Sequence, residues 1–314
     1  MTDAFLRPVL VVSRCLGFEP VRYNGQIVRD DFVQKLASLC RPVIVCPEVE
    51  IGLGVPRPPI RLVQERGKPL ALIQPATGRD LTATMAEFGD RFLDGVPEAD
   101  GFLLKSRSPS CGVRDVKVHP AADESASLGK TAGAFGGRVV ERFPGAAIED
   151  EGRLNDDLLR ERFLTLLFAL ARLREVEASG ERSALVAFHA AYKYVLLAYE
   201  EIGMRELGRL VAAVAERPWA ETIALYRERF ARALGRAASV RAHINALQHM
   251  FGHVSEGLSA AERAYFLDQL EELRAGRLPL VATLALLRGW VLRFDAEYLA
   301  RQAYLQPYPR ALAG

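Results

Sequence analysis

Four cysteines, Cys15, Cys40, Cys46 and Cys111, are the residues of this 314-residue chain that most clearly suggest chemistry. Three of them follow short apolar runs and precede turn-forming residues, in the contexts SRCLG, VCPE and SPSCG. Thiolates in such settings bind zinc or iron–sulfur clusters. Cys40 instead falls on the apolar face of a helical pattern, which is typical of a core residue. Cys15, Cys46 and Cys111 are therefore candidate metal ligands.

The sequence around these cysteines alternates between strand and helix patterns. Buried strands are predicted in RPVLVV, PVIVCP, GFLLK and the end of GRVVERFPGAAIED, and helices in DDFVQKLASLC and GRDLTATMAEFGDRFLDGV. This alternation predicts an α/β domain with a Rossmann-like parallel sheet. The carboxyl ends of parallel strands share one edge of the sheet, where sites of this fold class form. We therefore expect Cys15, Cys46 and Cys111, each of which follows a strand, to meet at that edge.

The segment EIGLGVPRPPIRLVQERGKP, residues 50–69, separates two of these elements. Its glycines and prolines suit neither a helix nor a strand. Long ordered loops in compact domains are usually functional. We predict that residues 50–69 form such a loop.

The second half of the chain has a different pattern. From Leu154 onward the sequence has helical periodicity and no convincing strand, and Asn155 or Asp156 is the predicted N-cap of the first helix. The segment EASGERS, Glu177–Ser183, interrupts this pattern and is the predicted linker. The sequence thus predicts a catalytic domain at residues 1–176 and an all-α domain at residues 183–314.

Composition narrows the class of protein. Half of the residues are hydrophobic and a quarter are charged, as in soluble globular proteins. No apolar run reaches the roughly 18 residues that a membrane span needs, and the N-terminus lacks the features of a signal peptide. We therefore expect no membrane association and a cytoplasmic location, where cysteines are thiols or metal ligands rather than disulfides. The net charge of +2 is far from the basic footprint of an obvious nucleic-acid-binding domain.

Three cysteines with no nearby fourth imply a metal centre with an incomplete set of protein ligands. One candidate is zinc with three thiolates and a water molecule. The other is a 4Fe-4S cluster in which three irons are anchored and the fourth is open. An open metal position acts as a Lewis acid and can hold a soft atom such as sulfur. The residues alone do not choose between these two centres.

The cysteine contexts resemble the thiouracil desulfidase family. The motifs SRCLG, VRYNG, CPEVEIGLGVPRPP and SPSCG stand in that family's order, across roughly residues 8–150. The stretch EDEGRLND and the later motifs RELGRLVA, INALQHMFG, LPLVATLALLRGW and YLARQAYLQPYP resemble the family's long form. In the long form, the desulfidase domain is fused to a C-terminal helical domain.

The resemblance implies a cofactor and a substrate. It implies a 4Fe-4S cluster held by Cys15, Cys46 and Cys111, whose open iron takes sulfur from a thiolated uracil ring. The fused members look like desulfidases that act on 4-thiouridine in tRNA and release sulfide. The helical domain would then bind RNA, and Lys193, Arg205, Arg209 and Arg241 are the candidate phosphate contacts.

The resemblance also implies two catalytic residues. Glu48, two residues after Cys46, is the expected base that activates water. Ser108, three residues before Cys111, is expected to hydrogen-bond the ring or to relay a proton. Residue types alone rank Ser106, Ser108 and Ser110 equally, and only the resemblance selects Ser108.

Three alternative functions remain open at this point. The first is the same chemistry on free thiouracil bases. The second is a non-enzymatic protein that carries the cluster and binds RNA or acts as a sensor. The third is a hydrolase with a three-cysteine zinc site, which needs no iron.

Overall fold

The computed structural model describes residues 5–123 and 126–313 of the chain. These residues divide into two compact units. The second is Arg172–Arg310, and the first comprises the described residues on either side of it. The domain boundaries expected from the sequence, 1–176 and 183–314, stay a prediction. In the described parts of the chain, no helix has the combined length and apolar character that crossing a membrane requires.

The first unit is an α/β structure. Its strands are β1 (Val9–Ser13), β2 (Arg41–Val45), β3 (Arg61–Val63), β4 (Ala71–Gln74), β5 (Arg79–Asp80), β6 (Gly101–Leu104), β7 (Val116–His119), β8 (Gly129–Thr131) and β9 (Ala147–Asp150). Its helices are α1 (Asp31–Ser38), α2 (Pro47–Glu50), α3 (Thr82–Asp94) and α4 (Ala134–Arg142), and α5 (Asp157–Ser179) begins in it. Four strands pair in parallel in the order β2-β1-β6-β9. The predicted parallel sheet is confirmed.

The inner strands of this sheet explain why its sequence pattern was recognisable. Every residue of β1 and β6 is buried. Strands that are covered on both faces appear in a sequence as continuous apolar runs. Asp30 caps α1 by accepting a hydrogen bond from the Val33 amide, and the helix buries Val33, Leu36 and Ala37. Because β1 pairs in parallel with both β2 and β6, the carboxyl ends of the three strands lie along one edge of the sheet.

A second sheet, which the sequence pattern did not predict, has the order β5-β4-β3-β7-β8. Only β3 and β7 are parallel in it. The prediction that residues 50–69 form a loop throughout is wrong, because β3 lies inside that segment. A three-residue strand is too short to show a two-residue period, and the flanking prolines and glycines dominate the local signal.

The second unit is helical, as predicted. Its helices after α5 are α6 (Arg182–Ala191), α7 (Lys193–Tyr199), α8 (Glu201–Ala212), α9 (Trp219–Leu234), α10 (Val240–Gly252), α11 (Ala260–Arg274), α12 (Leu280–Arg293) and α13 (Glu297–Ala300). No strand is assigned among its described residues. The Asp156 carboxylate accepts a hydrogen bond from the Leu159 amide at 3.0 Å and so caps α5. Gly180 and Glu181 separate α5 from α6, inside the expected linker.

Candidate active site

The carboxyl edge of the parallel sheet brings together the three cysteines expected to bind metal. Cys46 follows β2 directly, Cys15 lies two residues beyond β1, and Cys111 lies in the loop after β6. All three are buried free thiols. The thiols of Cys15 and Cys46 both act electrostatically on Cys111, so the three are near neighbours. The fold therefore joins residues that are far apart in the sequence.

Burial favours the neutral form of these thiols and raises the pKa of each. It is the main cause that raises the pKa of Cys15 to about 12, and the neighbouring Cys46 raises it further. The pKa of Cys111 is also raised, first by burial, while a hydrogen bond with Ser13 opposes the shift. Burial likewise raises the pKa of Cys46. Three thiolates at this edge need a cationic group to offset their charge, and binding such a group releases protons.

The arrangement of the donors bears on which metal centre fits. Within the described residues, no three His, Cys, Asp or Glu side chains form a group that could hold one metal ion. A single zinc ion needs all of its thiolates at about 2.3 Å from one atom. A 4Fe-4S cluster provides a separate iron for each cysteine, so its ligands lie further apart. The three buried thiols are soft donors of the kind that both centres use, and their placement does not choose between the two.

Glu48 lies next to the thiols because Cys46 is the N-cap of the short helix α2. Its carboxylate is held by Arg57, whose Nε donates to Glu48 Oε2 at 2.7 Å, and Arg57 Nη2 lies 2.7 Å from the same oxygen. Only 12% of the Glu48 side chain and 3% of the Arg57 side chain are exposed. Arg57 Nη1 also donates to the carbonyls of Val21 and Gly54. This buried clamp fixes the carboxylate and leaves Oε1 for another partner.

That partner is Ser110, which sequence reasoning did not select. The fully buried Ser110 hydroxyl donates to Glu48 Oε1 at 2.7 Å and lies 3.0 Å from Ser108 Oγ. Either serine can donate in that contact, and when Ser110 donates to Glu48 the Ser108 hydroxyl donates to Ser110. Ser108 Oγ also accepts from the Cys111 amide at 3.1 Å. The three side chains form a continuous hydrogen-bond chain, Ser108–Ser110–Glu48, beside Cys111.

The N-terminus of α4 shapes the loop that carries Cys111. The amide of Ala134 donates to the Pro109 carbonyl at 2.9 Å, and the Gly136 amide donates to the Ser110 carbonyl at 2.9 Å. The Gly133 amide donates to the Gly112 carbonyl at 2.6 Å. The first amides of a helix have no partner within the helix. The cysteine loop satisfies them, and this contact fixes the shape of the loop.

Two glycines make this close contact possible. A Cβ on Gly136 would lie 2.4 Å from the Gly112 carbonyl oxygen and 2.5 Å from that of Cys111. A Cβ on Gly133 would lie 2.5 Å from the Ser110 carbonyl oxygen. No side chain fits at either position without moving the loop. The glycines of the segment GAFGG, residues 133–137, are the sequence signal for this close packing. The signal can be interpreted only once the segment is known to contact the Cys111 loop, which is distant in sequence.

Beyond β9, Glu151 ties down the beginning of the same loop. It accepts hydrogen bonds from the Ser106 amide and hydroxyl, at 2.8 and 2.7 Å, and forms an ion pair with Lys105. Burial alone would raise the pKa of Glu151, but the hydrogen bonds from Lys105 and Ser106 outweigh it, and the pKa is lowered. Arg107 follows in a left-handed backbone conformation, with φ of 59°. The loop is therefore anchored before and after Cys111.

The expected RNA contacts lie in the second unit and are all exposed. They are Lys193 at the start of α7, Arg205 and Arg209 on α8, and Arg241 on α10. Arg205 pairs with Glu201 at 2.5 Å, and Lys193 Nζ lies 5.6 Å from the centre of the Tyr194 ring. Both α8 and α10 pack against α7. The four side chains are accessible to a phosphate backbone, and their role stays a prediction.

Two models of protein families match the chain. The model described as 2-thiouracil desulfurase matches residues 10–151. The model described as a protein of unknown function (DUF1722) matches residues 193–309. The first match lies within the first compact unit and the second match within the second.

Individual proteins extend this similarity. The uncharacterized protein YbbK of Bacillus subtilis (strain 168) is 34% identical over 110 residues, which are 33% of this chain and 73% of YbbK. The uncharacterized protein YbgA of Escherichia coli (strain K12) is 29% identical over 153 residues, 48% of this chain and 89% of YbgA. A solved structure described as the 4Fe-4S-dependent thiouracil desulfidase TudS is 28% identical. That match covers 48% of this chain and 94% of that chain, with a TM-score of 0.38.

Proposed function

Because this chain belongs to the 2-thiouracil desulfurase family, we propose that it is a non-redox desulfidase acting on 4-thiouridine in tRNA. It replaces the ring sulfur with the oxygen of water, giving uridine and sulfide. The observation that carries this proposal is the meeting of three buried thiols with a serine–glutamate hydrogen-bond chain at one sheet edge. That combination offers both a place for sulfur and a path for protons.

The three thiols are the residues that would hold the cofactor. Cys15, Cys46 and Cys111 would provide three soft ligands for a 4Fe-4S cluster, and one iron would then have no protein ligand. When bound, the cluster supplies a Lewis acid that can hold the sulfur of the substrate. Lys105 and Arg22 lie close enough to Cys15 to oppose its rise in pKa, so the first unit contributes positive charge beside the thiolates.

Glu48 and the serines handle the protons. Conversion of C=S and water into C=O and H₂S moves two protons from the water oxygen to sulfur, without a change of oxidation state. In our proposal the Ser108–Ser110–Glu48 chain carries the two protons one after the other. The first leaves the attacking water, is stored on Glu48 Oε1 and returns to the sulfur, and the second leaves the hydroxyl on the ring carbon as C=O forms and joins the departing HS⁻. A positioned general base of this kind contributes about 10²–10⁴-fold to a rate.

Arg57 has a positioning role in this scheme. It occupies Glu48 Oε2 and so directs Oε1 to Ser110. Charge-assisted hydrogen bonds of this type are stronger than neutral ones, and the planar guanidinium also sets the orientation of the carboxylate. The base therefore meets the proton chain in one defined geometry.

The helical unit is the reason to propose tRNA over the free base. A free thiouracil needs no second unit for recognition, whereas tRNA presents a long phosphate backbone. Lys193, Arg205, Arg209 and Arg241 give the helical unit exposed cations that suit phosphate oxygens. Free thiouracil is the alternative substrate for the same site.

The test compares the two substrates on one preparation of the full chain. The protein is loaded with iron and sulfide without oxygen, and is then incubated with tRNA that contains 4-thiouridine or with free 4-thiouracil. Digestion of the tRNA to nucleosides measures conversion to uridine, and released sulfide is measured in both reactions. The Glu48→Gln protein is the control for non-enzymatic loss of sulfur.

We expect conversion of the tRNA nucleoside with a matching amount of sulfide. Consumption of free thiouracil alone would instead support the free-base alternative. If loaded protein converts neither substrate, the desulfidase proposal fails and the sensor alternative gains support. A colourless protein with one zinc ion would point to the zinc hydrolase.

A further inference from the structure

Ser13 is a buried hydroxyl that ends the apolar strand β1 and has no part in the proposed proton transfer. The strand has the sequence VLVVS, and only 1% of Ser13 is exposed. A serine at this position adds almost nothing to the apolar burial of the strand. A hydroxyl removed from water is also costly unless it is hydrogen-bonded. The partners of the Ser13 hydroxyl therefore indicate what the residue does.

The oxygen of this hydroxyl extends the pairing between β1 and β6. The paired residues of the two strands end with Val12 and Leu103. Beyond them, the Lys105 amide donates a hydrogen bond to Ser13 Oγ at 2.9 Å. A serine hydroxyl has one proton to donate and can also accept hydrogen bonds. The contact with Lys105 uses Ser13 as an acceptor and leaves its proton for another group.

The position of Ser13 in β1 directs its side chain to the layer that contains Cys111. Successive side chains of a strand point to opposite faces of the sheet, so Ser13 shares a face with Val11. Val11 and Cys111 belong to the same cluster of packed core side chains. Ser13 lies at the carboxyl edge of that face, two residues before Cys15. Strand direction and core packing thus place the hydroxyl on the side of the sheet where Cys111 lies.

The sulfur of Cys111 is the second partner of Ser13. The two side chains form a hydrogen bond that stabilises the thiolate of Cys111. A thiolate has no proton to give, so Ser13 is the donor in that state. This direction agrees with the Lys105 contact, in which Ser13 only accepts. One hydroxyl therefore joins the backbone at the end of β6 to a candidate metal ligand.

Ser110 is another hydroxyl close to the Cys111 sulfur, at 3.8 Å, but its proton has a different acceptor. Ser110 donates to Glu48 Oε1 at 2.7 Å and so belongs to the proton chain. Ser13 has no such carboxylate partner among the described residues, and its proton is available to sulfur. The two buried serines therefore serve different groups of the same site.

We propose that Ser13 donates a hydrogen bond to the metal-bound thiolate of Cys111 and so lowers the electron density of the centre that takes the substrate sulfur. The inference rests on the proposed function for the identity of that centre, a 4Fe-4S cluster. Hydrogen bonds to the sulfurs of such clusters are among the factors that set their reduction potential. A centre with less electron density is also a stronger Lewis acid. Ser13 is thus a positioning residue that acts through Cys111 and does not contact the substrate.

The test compares Ser13→Ala, which lacks the hydroxyl, with Ser13→Thr, which keeps it. Ser38→Ala is the control, because Ser38 is an exposed serine of the same unit whose hydroxyl donates to the Lys35 carbonyl at 2.7 Å. The full chain is loaded with iron and sulfide without oxygen, and the reduction potential of the cluster is measured without substrate. We expect Ser13→Ala to disfavour one-electron reduction about tenfold, which lowers the potential by about 59 mV. Ser13→Thr and Ser38→Ala should have the potential of the unchanged protein.

An isotope measurement reports on the proton of this hydrogen bond. The iron–sulfur stretching bands of the loaded protein are recorded in H₂O and in D₂O by resonance Raman spectroscopy. Deuterium on the hydroxyl should shift these bands in wild type and in Ser13→Thr. Ser13→Ala should lose that part of the shift, whereas the part due to the Val49 amide, which bonds the Cys46 sulfur, stays in every variant. Equal shifts in Ser13→Ala and wild type would overturn the proposal.

A purely structural role for Ser13 predicts a different result. Ser13→Ala also removes the acceptor of the Lys105 amide, so its unfolding midpoint should fall whether or not the proposal holds. A lower midpoint with the potential and the isotope shift of wild type would assign the hydroxyl to the end of β1 alone and refute the proposal. If Ser13→Ala binds no cluster, circular dichroism of the unloaded protein is decisive. A folded chain would support the contact with Cys111, and an unfolded chain would contradict it.

The potential and the Raman bands are measured without turnover, so they separate this inference from the proposed function. Loaded protein that shows both effects but converts neither thiolated tRNA nor free thiouracil retains the inference and loses the activity. Loaded protein that releases sulfide from its substrate and shows neither effect retains the activity and loses the inference.

Discussion

Cys40 lies at the amino edge of the parallel sheet, directly before β2, whereas Cys15, Cys46 and Cys111 lie at its carboxyl edge. Burial raises the pKa of Cys40 to about 12, and it is also the main cause that raises the pKa of Cys15 to about 12. Neither burial nor the raised thiol pKa therefore distinguishes a cysteine at the amino edge from one at the carboxyl edge. The difference lies in the neighbours, because only the carboxyl edge has further thiols.

The polar groups of the two edges differ in the same way. At the amino edge, Asp100 accepts a hydrogen bond from the Val9 amide at 2.8 Å and so supports the start of β1. At the carboxyl edge, Glu48 is held by Arg57 and linked to a serine that reaches a second serine. One carboxylate completes the backbone structure, while the other ends a chain of hydrogen-bonded side chains. A site is recognised by such convergence, and not by a buried cysteine alone.

The largest expected effect contrasts one cysteine from each edge. Cys111→Ala should abolish both cluster content and desulfidation, since two remaining thiols do not anchor three irons. Cys40→Ala should keep both and lower the free energy of unfolding by about 1–2 kcal/mol, as expected for a small buried group. Iron and sulfide analysis measures the cluster content of each variant, and chemical denaturation measures its free energy of unfolding. Loss of the cluster in Cys40→Ala would mean that the ligand set is misassigned.

The next effect separates Glu48 from a carboxylate on the same short helix. Glu48→Gln should lower kcat by about 10²–10⁴-fold, because a base is lost, with cluster content retained. Glu50→Gln is the matched control. Its exposed carboxylate pairs with Arg14 at 2.5 Å, and we expect activity close to that of the unchanged protein. Equal losses in both variants would contradict the assignment of the base to Glu48.

A smaller effect is expected from breaking the proton chain in its middle. Ser110→Ala removes a hydrogen bond to a charged group, worth about 1.5–3 kcal/mol, which corresponds to about a tenfold to hundredfold lower kcat. KM should change little, because Ser110 is fully buried and donates to Glu48. Steady-state kinetics separates the two parameters. Ser127→Ala, which changes an exposed serine, is the control and should leave kcat unchanged. An unchanged kcat in Ser110→Ala as well would contradict a role for Ser110 in proton transfer.

Neighbouring glycines of α4 test how rigidly the carboxyl edge is built. Gly136→Ala should lower the free energy of unfolding by about 1–3 kcal/mol, because its methyl group has no room against the Cys111 loop. At Gly137 the nearest atom to an added Cβ is 3.4 Å away. Gly137→Ala should therefore be neutral or stabilising by up to about 1 kcal/mol, through helix propensity. Denaturant unfolding measures the stability of both variants. A Gly136→Ala protein as stable as wild type would contradict the close packing of α4 against the Cys111 loop.

The last effect concerns the amino edge and is confined to alkaline pH. The pKa of Cys40 is about 12 in the folded chain against an ordinary value of 9.0. The folded state thus holds this proton more tightly, so the contribution to stability is complete below pH 9 and is lost as pH rises towards 12. The stability advantage of wild type over Cys40→Ala should therefore shrink by up to about 1.4 kcal/mol per pH unit in that range, and change sign before pH 12. A constant difference would show that Cys40 ionises normally.

The sequence was sufficient to predict the parallel sheet and the proximity of Cys15, Cys46 and Cys111 at its carboxyl edge. The runs VLVV and GFLL are apolar throughout because β1 and β6 are covered on both faces, and topology then brings their ends to one edge. The helical unit was predictable for a similar reason, since long segments repeat a helical period. The second sheet was not, because its strands are short, and β5 and β8 are mostly exposed.

The finer structure of the site depended on contacts between distant segments. Arg57 stands in the motif PRP, and nothing local shows that its guanidinium reaches Glu48. Ser108 and Ser110 are alike in sequence, and only the folded structure shows that Ser110 is the one whose hydroxyl reaches Glu48, at 2.7 Å. Strand register likewise pairs Lys117 with Lys130, although both lie in unremarkable stretches of sequence.

The hydrogen bonds between α4 and the Cys111 loop affect how far the motif SPSCG can be transferred. A graft of SPSCG onto another sheet would lack the amides of Gly133, Ala134 and Gly136, and with them the contacts that set its shape. The transplantable unit is thus SPSCG together with GAFGG and the helix that follows. A search that requires both segments should separate working sites from chance occurrences of a short serine-rich string.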